Sequence, residues 1–150
     1  MSYLIKDYMQ KDIATVDVGV SALEASKLMM KKAVGYLIVI DKAQPVGIVT
    51  ERDLVWKVMA EEREPLKVNV SEFMSAPLIT VNPDATIRDA MRIMAKHKIR
   101  KLPVVRNNAI YGIFTTRDLT KHLGKYVDRV IRDIITAQAI YGASLDLSLG

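Results

Sequence analysis

Apolar residues along the chain follow two spacings, one typical of helices and one typical of strands. Ile87, Ala90, Met91 and Met94 recur every three or four residues, which predicts a helix with one face on a core. Residues 36–40 form an uninterrupted apolar run, too short for an ordinary helix, and they predict a buried strand. The chain therefore mixes helices and strands.

The same pattern occurs twice. Residues 70–123 align with residues 5–58 without a gap, with 14 identities over 54 positions. The best match is between GIVTERDL, at residues 47–54, and GIFTTRDL, at residues 112–119. Self-similarity in one fixed alignment, called the repeat register below, indicates two copies of one structural unit.

Each copy is predicted to run strand–helix–strand–strand–helix. Ser21 and Thr86 precede an acidic residue by three positions, which is the pattern that caps the first turn of a helix. The last helix of each copy begins at Glu51 or at Thr116. The predicted strands are residues 13–16, 36–40 and 46–50 in the first copy, and residues 78–81, 102–105 and 110–115 in the second.

A linker and a C-terminal segment lie outside the copies. The charged residues 61–67, which include a proline, are predicted to form the linker. Val127, Ile131 and Ile135 lie on one stripe of a further helix from Tyr126 to about residue 141. The expected organisation is a first unit over residues 5–60, a second unit over residues 70–124 and a C-terminal helix over residues 125–141.

Composition narrows the possible functions. The chain has 150 residues, of which 50% are hydrophobic and 26% charged, as in ordinary globular proteins. No apolar run approaches the roughly 20 residues of a membrane-spanning helix, and Asp7 comes too early for a signal peptide. The lack of cysteine excludes disulfides and favours a cytoplasmic location. The net charge of +5 suits an anionic partner such as a nucleotide or a nucleic acid.

The sequence offers little for catalysis or metal binding. His97 and His122 are not at metal-ligand spacing, and no nucleophile motif is present. We therefore expect no enzyme activity, no metal site and no cofactor. The basic residues 96–101 carry no interleaved aromatic side chains, which argues against a nucleic-acid stacking surface.

The segment Gly-apolar-apolar-Thr-x-x-Asp, at residues 47–53 and 112–118, resembles the corresponding segment of tandem CBS domains, also called a Bateman module. The resemblance covers about residues 5–123. It implies an α/β (α+β) fold of two βαββα units packed about a pseudo-two-fold axis, with a cleft on either side. It also implies that the clefts bind AMP, ADP, ATP or a related adenosyl compound, and that occupancy is signalled to an effector protein.

The resemblance gives roles to the repeated motif. The carboxylates of Asp53 and Asp118 would accept hydrogen bonds from ribose hydroxyls. Thr50 and Thr115 stand at helix starts, where free N–H groups and the positive end of the helix dipole favour phosphate. The spacing Thr-x-x-Asp also caps helices, so capping without ligand binding is the alternative.

Other residues complete the expected sites. Arg52 and Arg117 precede the aspartates and offer cationic forks for phosphate. We expect the base to lie between two groups of residues, Ile13, Val34 and Gly35 on one side and Leu78, Ile99 and Arg100 on the other. Arg100, Lys101 and Pro103 all belong to the second copy, and Ile38 stands in the first copy where the second has Pro103. We therefore expect tighter binding at Asp118.

The resemblance also implies a homodimer. We expect the last helix of each unit to supply apolar contacts through Leu54, Val58, Leu119 and Leu123, with the C-terminal helix adding to them. Two other functions stay open. A dimeric interaction protein with empty clefts would tolerate alanine at both aspartates, and a basic nucleic-acid-associated protein would bind with steep salt dependence.

Overall fold

Each repeat forms a small sheet with helices beside it, in a computed structural model that describes residues 3–141. In the first copy, β1 (Thr15–Asp17) pairs parallel with β2 (Tyr36–Asp41), which pairs antiparallel with β3 (Gln44–Thr50). Helix α1 (Ala22–Lys32) connects β1 to β2. The order β1–β2–β3 confirms the predicted strand arrangement of this copy.

The second copy repeats this plan with a shorter first strand. Helix α4 (Ile87–His97) precedes β4 (Lys101–Arg106) and β5 (Ala109–Thr115), which pair antiparallel. The strand expected over residues 78–81 is reduced to a parallel bridge between Val81 and Val104. In the repeat register, Val81 and Val104 correspond to Val16 and Val39, which pair in the same parallel way in the first copy. The mixed α+β fold class is confirmed.

The predicted helix starts are confirmed by hydrogen bonds. The Ser21 hydroxyl accepts from the Glu24 N–H at 3.2 Å, and Thr86 forms a reciprocal capping box with Asp89. The Thr86 hydroxyl and backbone hold the pKa of Asp89 below its usual value. Both helices end on a left-handed residue, Ala33 or Lys98, each with φ of 54°.

The last helices of the two copies differ. In the first copy, α2 (Glu51–Asp53) continues into a π-helical turn over Leu54–Met59, where the Ala60 N–H donates to the Val55 carbonyl. In the second, α5 (Thr116–Tyr141) runs for 26 residues without a break. The helix expected from Tyr126 is therefore the continuation of α5 and not a separate element.

The π-helical turn changes which side chains face outward. One extra residue in a turn rotates the following positions by about 100° around the axis. Val58, expected on a dimer face, is 3% exposed and belongs to the first core, whereas Val55, Trp56 and Met59 are exposed. The expectation for Val58 is wrong for this reason.

The segment that opens each copy packs on the other copy. The 3-10 turn Ile5–Asp7 places Ile5 in the core of the second unit. Helix α3 (Val70–Phe73) places Val70 in the core of the first unit. Because each core takes side chains from the other copy's leading segment, the two units are interlocked.

Matching backbone contacts fix this exchange. The N–H of Gln10 donates to the Ile113 carbonyl and the reverse bond is also made, both at 2.9 Å. Ser75 and Ile48 make the equivalent pair at 2.9 and 3.1 Å. The repeat register superimposes one pair on the other, which is the relation expected for a pseudo-two-fold arrangement. Gly112 is required at its crossing, since a Cβ there would collide with the Gln10 carbonyl.

Helix α5 also packs against the leading segment of the chain. The rings of Tyr3 and Tyr126 meet edge to face with centroids 5.1 Å apart. The Arg129 guanidinium donates to the Tyr8 hydroxyl at 3.0 Å. The Tyr3 hydroxyl donates to the Asp133 carboxylate, and that bond raises the pKa of Tyr3 to about 12. The N-terminal segment is thus held between the second core and α5. Within residues 3–141 no helix is long and apolar enough to cross a membrane.

Candidate functional site

Two clefts lie where the copies meet. The first has a volume of about 360 Å³ and the second about 310 Å³. The wall of the first cleft consists of Ile48, Thr50, Glu51, Arg52, Asp53, Ser75, Lys98, Ile99, Arg100 and Lys101. The wall of the second cleft consists of Gln10, Ala33, Val34, Gly35, Tyr36, Glu51, Arg100, Lys101, Thr115, Thr116 and Arg117.

Each cleft combines the Thr-x-x-Asp motif of one copy with the segment before the second strand of the other copy. Ile99 and Arg100 thus lie opposite Asp53, and Val34 and Gly35 lie opposite Thr115. The sequence placed these two segments on opposite sides of one base, whereas in the structure Ile99 lines the first cleft, Val34 and Gly35 line the second, and Arg100 borders both. Their separation follows from the reciprocal packing of the two units.

Four expected site residues contribute to neither wall: Ile13, Leu78, Pro103 and Asp118. Pro103 is fully buried in β4, and its carbonyl accepts from the Val81 N–H at 3.0 Å. Ile13 and Leu78 are half-buried and pack against the first core. Side chains at these positions therefore support the clefts from behind.

The first motif presents a carboxylate to its cleft. Asp53 Oδ2 accepts from the Thr50 N–H at 2.9 Å and from the Thr50 hydroxyl at 3.1 Å, while the Thr50 oxygen accepts from the Asp53 N–H. The other oxygen, Oδ1, lies 3.0 Å from Lys57 Nζ and 3.5 Å from the Ser75 hydroxyl. Asp53 is 7% exposed, and that surface faces the cleft.

The second motif has the same cap and a more enclosed carboxylate. Asp118 Oδ2 accepts from the Thr115 N–H at 2.8 Å and from the Thr115 hydroxyl at 3.0 Å. Its Oδ1 accepts from the side-chain amide of Gln10 at 2.7 Å. Asp118 is 2% exposed and does not reach the wall of its cleft.

Both motifs therefore cap their helices, as the alternative interpretation predicts. Capping uses one carboxylate oxygen, and the other oxygen lies against Lys57 Nζ in the first motif and against the Gln10 amide in the second. The cap and a binding role are compatible, because a carboxylate has about four acceptor positions. Capping orients the carboxylate toward the interface between the copies.

The helix starts offer fewer N–H groups than expected. The Glu51 N–H donates to the Gly35 carbonyl at 3.1 Å, and the Thr116 N–H donates to the Arg100 carbonyl at 3.0 Å. The Asp53 and Asp118 N–H groups are taken by the caps. Phosphate recognition in these clefts would thus depend on cationic side chains more than on the helix starts.

Cations outnumber acids around the first cleft. Lys98, Arg100 and Lys101 come from one copy and Arg52 from the other, against the carboxylates of Glu51 and Asp53. The Arg52 guanidinium lies 5.0 Å from the centre of the Trp56 ring, a cation–π distance that holds it at the edge of the cleft. A carboxylate acceptor and four cationic donors thus lie in one cavity.

The second cleft includes a buried tyrosine in its wall. Tyr36 is 5% exposed and its hydroxyl accepts from the Ala14 N–H at 3.3 Å, and burial raises its pKa. Arg117, Arg100 and Lys101 supply the positive charge, with Glu51 opposing it. Arg100 and Lys101 border both clefts, so the reason given by the sequence for tighter binding at Asp118 does not hold.

The sequence interpretation missed four residues that shape the clefts: Gln10, Ser75, Lys57 and Lys98. The repeat contains a signal for two of them, because its register pairs Gln10 with Ser75. Over residues 3–141 no group of three or more histidine or acidic residues is placed to hold a metal ion. The side chains that line the clefts are suited to recognising a polar anion.

Comparison with known proteins agrees with the repeat and the fold. A family model described as CBS domain matches residues 5–60 and again residues 70–125. The CBS domain-containing protein YhcV of Bacillus subtilis (strain 168) is 36% identical over 115 residues, which cover 77% of this chain and 81% of YhcV.

Two solved structures extend the comparison. An uncharacterized conserved protein from Pyrococcus horikoshii has a TM-score of 0.75 and 35% identity, covering 81% of this chain and 92% of that one. The hexameric CBS-CP12 protein from bloom-forming cyanobacteria has a TM-score of 0.75 and 27% identity, covering 97% of this chain and 88% of that one.

Proposed function

Because the chain belongs to the CBS-domain family and carries two copies of the domain, we propose that it binds an adenine nucleotide and signals occupancy to an effector protein. AMP, ADP and ATP are the ligands proposed. We propose that the function is regulatory and not enzymatic. Adenine nucleotides are made and used in the cytoplasm, and the proposal places the protein there.

One feature of the first cleft supports this function most strongly. The Asp53 oxygen that does not serve the cap lies 3.0 Å from Lys57 Nζ, and Asp53 lines the same cavity as Lys98, Arg100 and Lys101. The carboxylate can accept from two ribose hydroxyls, and the cations can donate to phosphate oxygens. A volume of about 360 Å³ lies within the range of small-molecule sites.

The position of the clefts suggests how occupancy is signalled. Each wall takes residues from both copies, so a bound nucleotide bridges them. A ligand shifts a conformational equilibrium by its differential affinity for two states. Here the two states differ in the relative position of the two units. A ligand that contacts both units binds these two states with different affinities.

We also propose that the chain forms a homodimer. Six large apolar side chains of α5 are between 43% and 70% exposed: Leu123, Val127, Ile131, Ile134, Ile135 and Ile140. Val55, Trp56 and Met59 add apolar surface in the first unit. Contiguous apolar surface on this scale marks an interaction site. The similar CBS-CP12 protein is described as hexameric, so self-association occurs among proteins of this fold.

Isothermal titration with AMP, ADP, ATP and S-adenosylmethionine tests the function. We expect saturable binding of at least one nucleotide below millimolar concentration. D53A should weaken it and E61A, in the linker away from the clefts, should not. If none of the four compounds binds, the ligand-sensor function is wrong and the dimeric interaction protein becomes the better explanation.

A further inference from the structure

Two residues at equivalent positions distinguish the clefts. Gln10 and Ser75 superimpose in the repeat register, and each makes the same pair of backbone hydrogen bonds to the opposite unit. Their side chains point toward equivalent carboxylates, those of Asp118 and Asp53. The two positions therefore share the same backbone contacts and differ in the side chain, which is a long amide in Gln10 and a short hydroxyl in Ser75.

The longer side chain reaches its carboxylate and the shorter one barely does. Gln10 Nε2 donates to Asp118 Oδ1 at 2.7 Å, a short distance for a bond to an ionised acceptor. The Ser75 hydroxyl lies 3.5 Å from Asp53 Oδ1, at the limit of hydrogen bonding. Asp118 Oδ1 is thus bonded to an uncharged amide from the opposite unit, whereas Asp53 Oδ1 lies 3.0 Å from Lys57 Nζ, which belongs to the same copy and to a side chain that is 46% exposed.

The cleft walls show the same difference. In the repeat register, Ile48 and Asp53 correspond to Ile113 and Asp118. Ile48 and Asp53 line the first cleft, whereas Ile113 and Asp118 are missing from the second wall and Gln10 stands there. Ile113 is 0% exposed. The Gln10 side chain covers the part of the second cleft where a ribose would meet its acceptor.

On the basis of the proposed function, we propose that Gln10 blocks the second site by taking the place of the ribose hydroxyls on Asp118. A ribose diol and a primary amide both offer two donors, so they compete for the same carboxylate oxygen. The chain therefore binds one nucleotide, in the cleft of Asp53. A nucleotide enters the second cleft only when Gln10 turns away, which makes the leading segment of the chain a determinant of stoichiometry.

Reciprocal exchange of the two side chains tests this inference. Isothermal titration of AMP into the wild-type chain should give about one site per chain. Q10S, which copies Ser75 into the second cleft, should raise this to about two. S75Q should weaken the first site by about tenfold or more, equivalent to ~1.4 kcal/mol. Both positions are exposed and their backbone bonds do not need the side chain, so thermal melts by circular dichroism should show folded variants.

Alanine variants show which of the two clefts binds AMP in each chain. In the wild-type chain D118A should leave the AMP affinity unchanged, whereas in Q10S it should remove the site that was gained. A merely structural Gln10 would lower the melting temperature in Q10S without raising the stoichiometry, and that result would overturn the inference. Two AMP sites in the wild-type chain, or the loss of an AMP site in D118A alone, would also overturn the inference. The nucleotide-binding function would stand in both cases. Absence of AMP binding in every variant would overturn this inference, and absence of binding by ADP, ATP and S-adenosylmethionine as well would overturn the function itself.

Discussion

Interlocked cores predict that damage to one unit destabilises the other. Ile5 is fully buried in the second core although it belongs to the leading segment of the first copy. I5A removes three carbon atoms from a packed site, worth about 2.4 kcal/mol by transfer alone and about 2–5 kcal/mol with the cavity that remains. We expect a loss of about 3 kcal/mol in the free energy of unfolding.

The single tryptophan allows this loss to be followed in the other unit. Trp56 lies in the π-helical turn of the first copy, away from the second core. Urea unfolding of I5A should be measured by Trp56 fluorescence and by circular dichroism. Because the units are interlocked, we expect both transitions to shift to lower urea together. V70A, the matched change in the first core, should shift both as well, by about 2 kcal/mol.

Independent units would give a different result. If I5A moved the circular dichroism transition and left the Trp56 transition at its wild-type midpoint, the second unit would be unfolding alone. The reciprocal exchange of leading segments would then be wrong. D7A, which changes an exposed residue on the same turn, controls for effects of the segment that do not depend on the core.

Three further predictions concern the ligand, the dimer and the pH dependence of folding. Adenosine should bind about ten- to a hundredfold more weakly than AMP, because it lacks the phosphate that Lys98 and Arg100 can contact. Equal affinities of adenosine and AMP in isothermal titration would show that these cations stay in solvent. I131D should convert a dimer of twice the 16.8 kDa chain mass into a monomer in light scattering, and an unchanged mass would exclude this face from the interface. Lys6, aided by Arg106, holds the pKa of Asp84 below its ordinary value of 3.8, so this contact stabilises the fold above that pH and is lost as the pH falls through the lowered pKa. The gap in melting temperature between wild type and K6A should therefore narrow on acidification, and a gap that widens would contradict the pairing.

Local features of the fold were predictable and the exchange between the units was not. Residues such as Ser21, Thr86 and Asn107 fix helix starts and a turn through contacts within a few positions of the chain. Ile5 joins a core that is built mainly from the second copy, and nothing in its sequence neighbours shows which core it joins. The burial of Val58 was missed because a π-helical turn changes the periodicity on which the expectation depended.

The site was predictable in part for the same reason. The repeated Thr-x-x-Asp motif locates both carboxylates, since the cap that holds them is local. The opposite wall of each cleft comes from the other copy, so the sequence alone did not show that Ile99 faces the motif of Asp53 and that Val34 faces the motif of Thr115. The hydrogen bond that Asp118 Oδ1 accepts comes from Gln10, which belongs to the leading segment of the other copy and is distant in sequence.

A structure of the chain crystallised with AMP tests the central claim most directly. We expect one AMP per chain between the copies, with its ribose hydroxyls on Asp53 Oδ1, its phosphate toward Lys98 and Arg100, and the bond from Gln10 to Asp118 intact. AMP bound away from Asp53, or clefts that stay empty at millimolar nucleotide, would contradict the account.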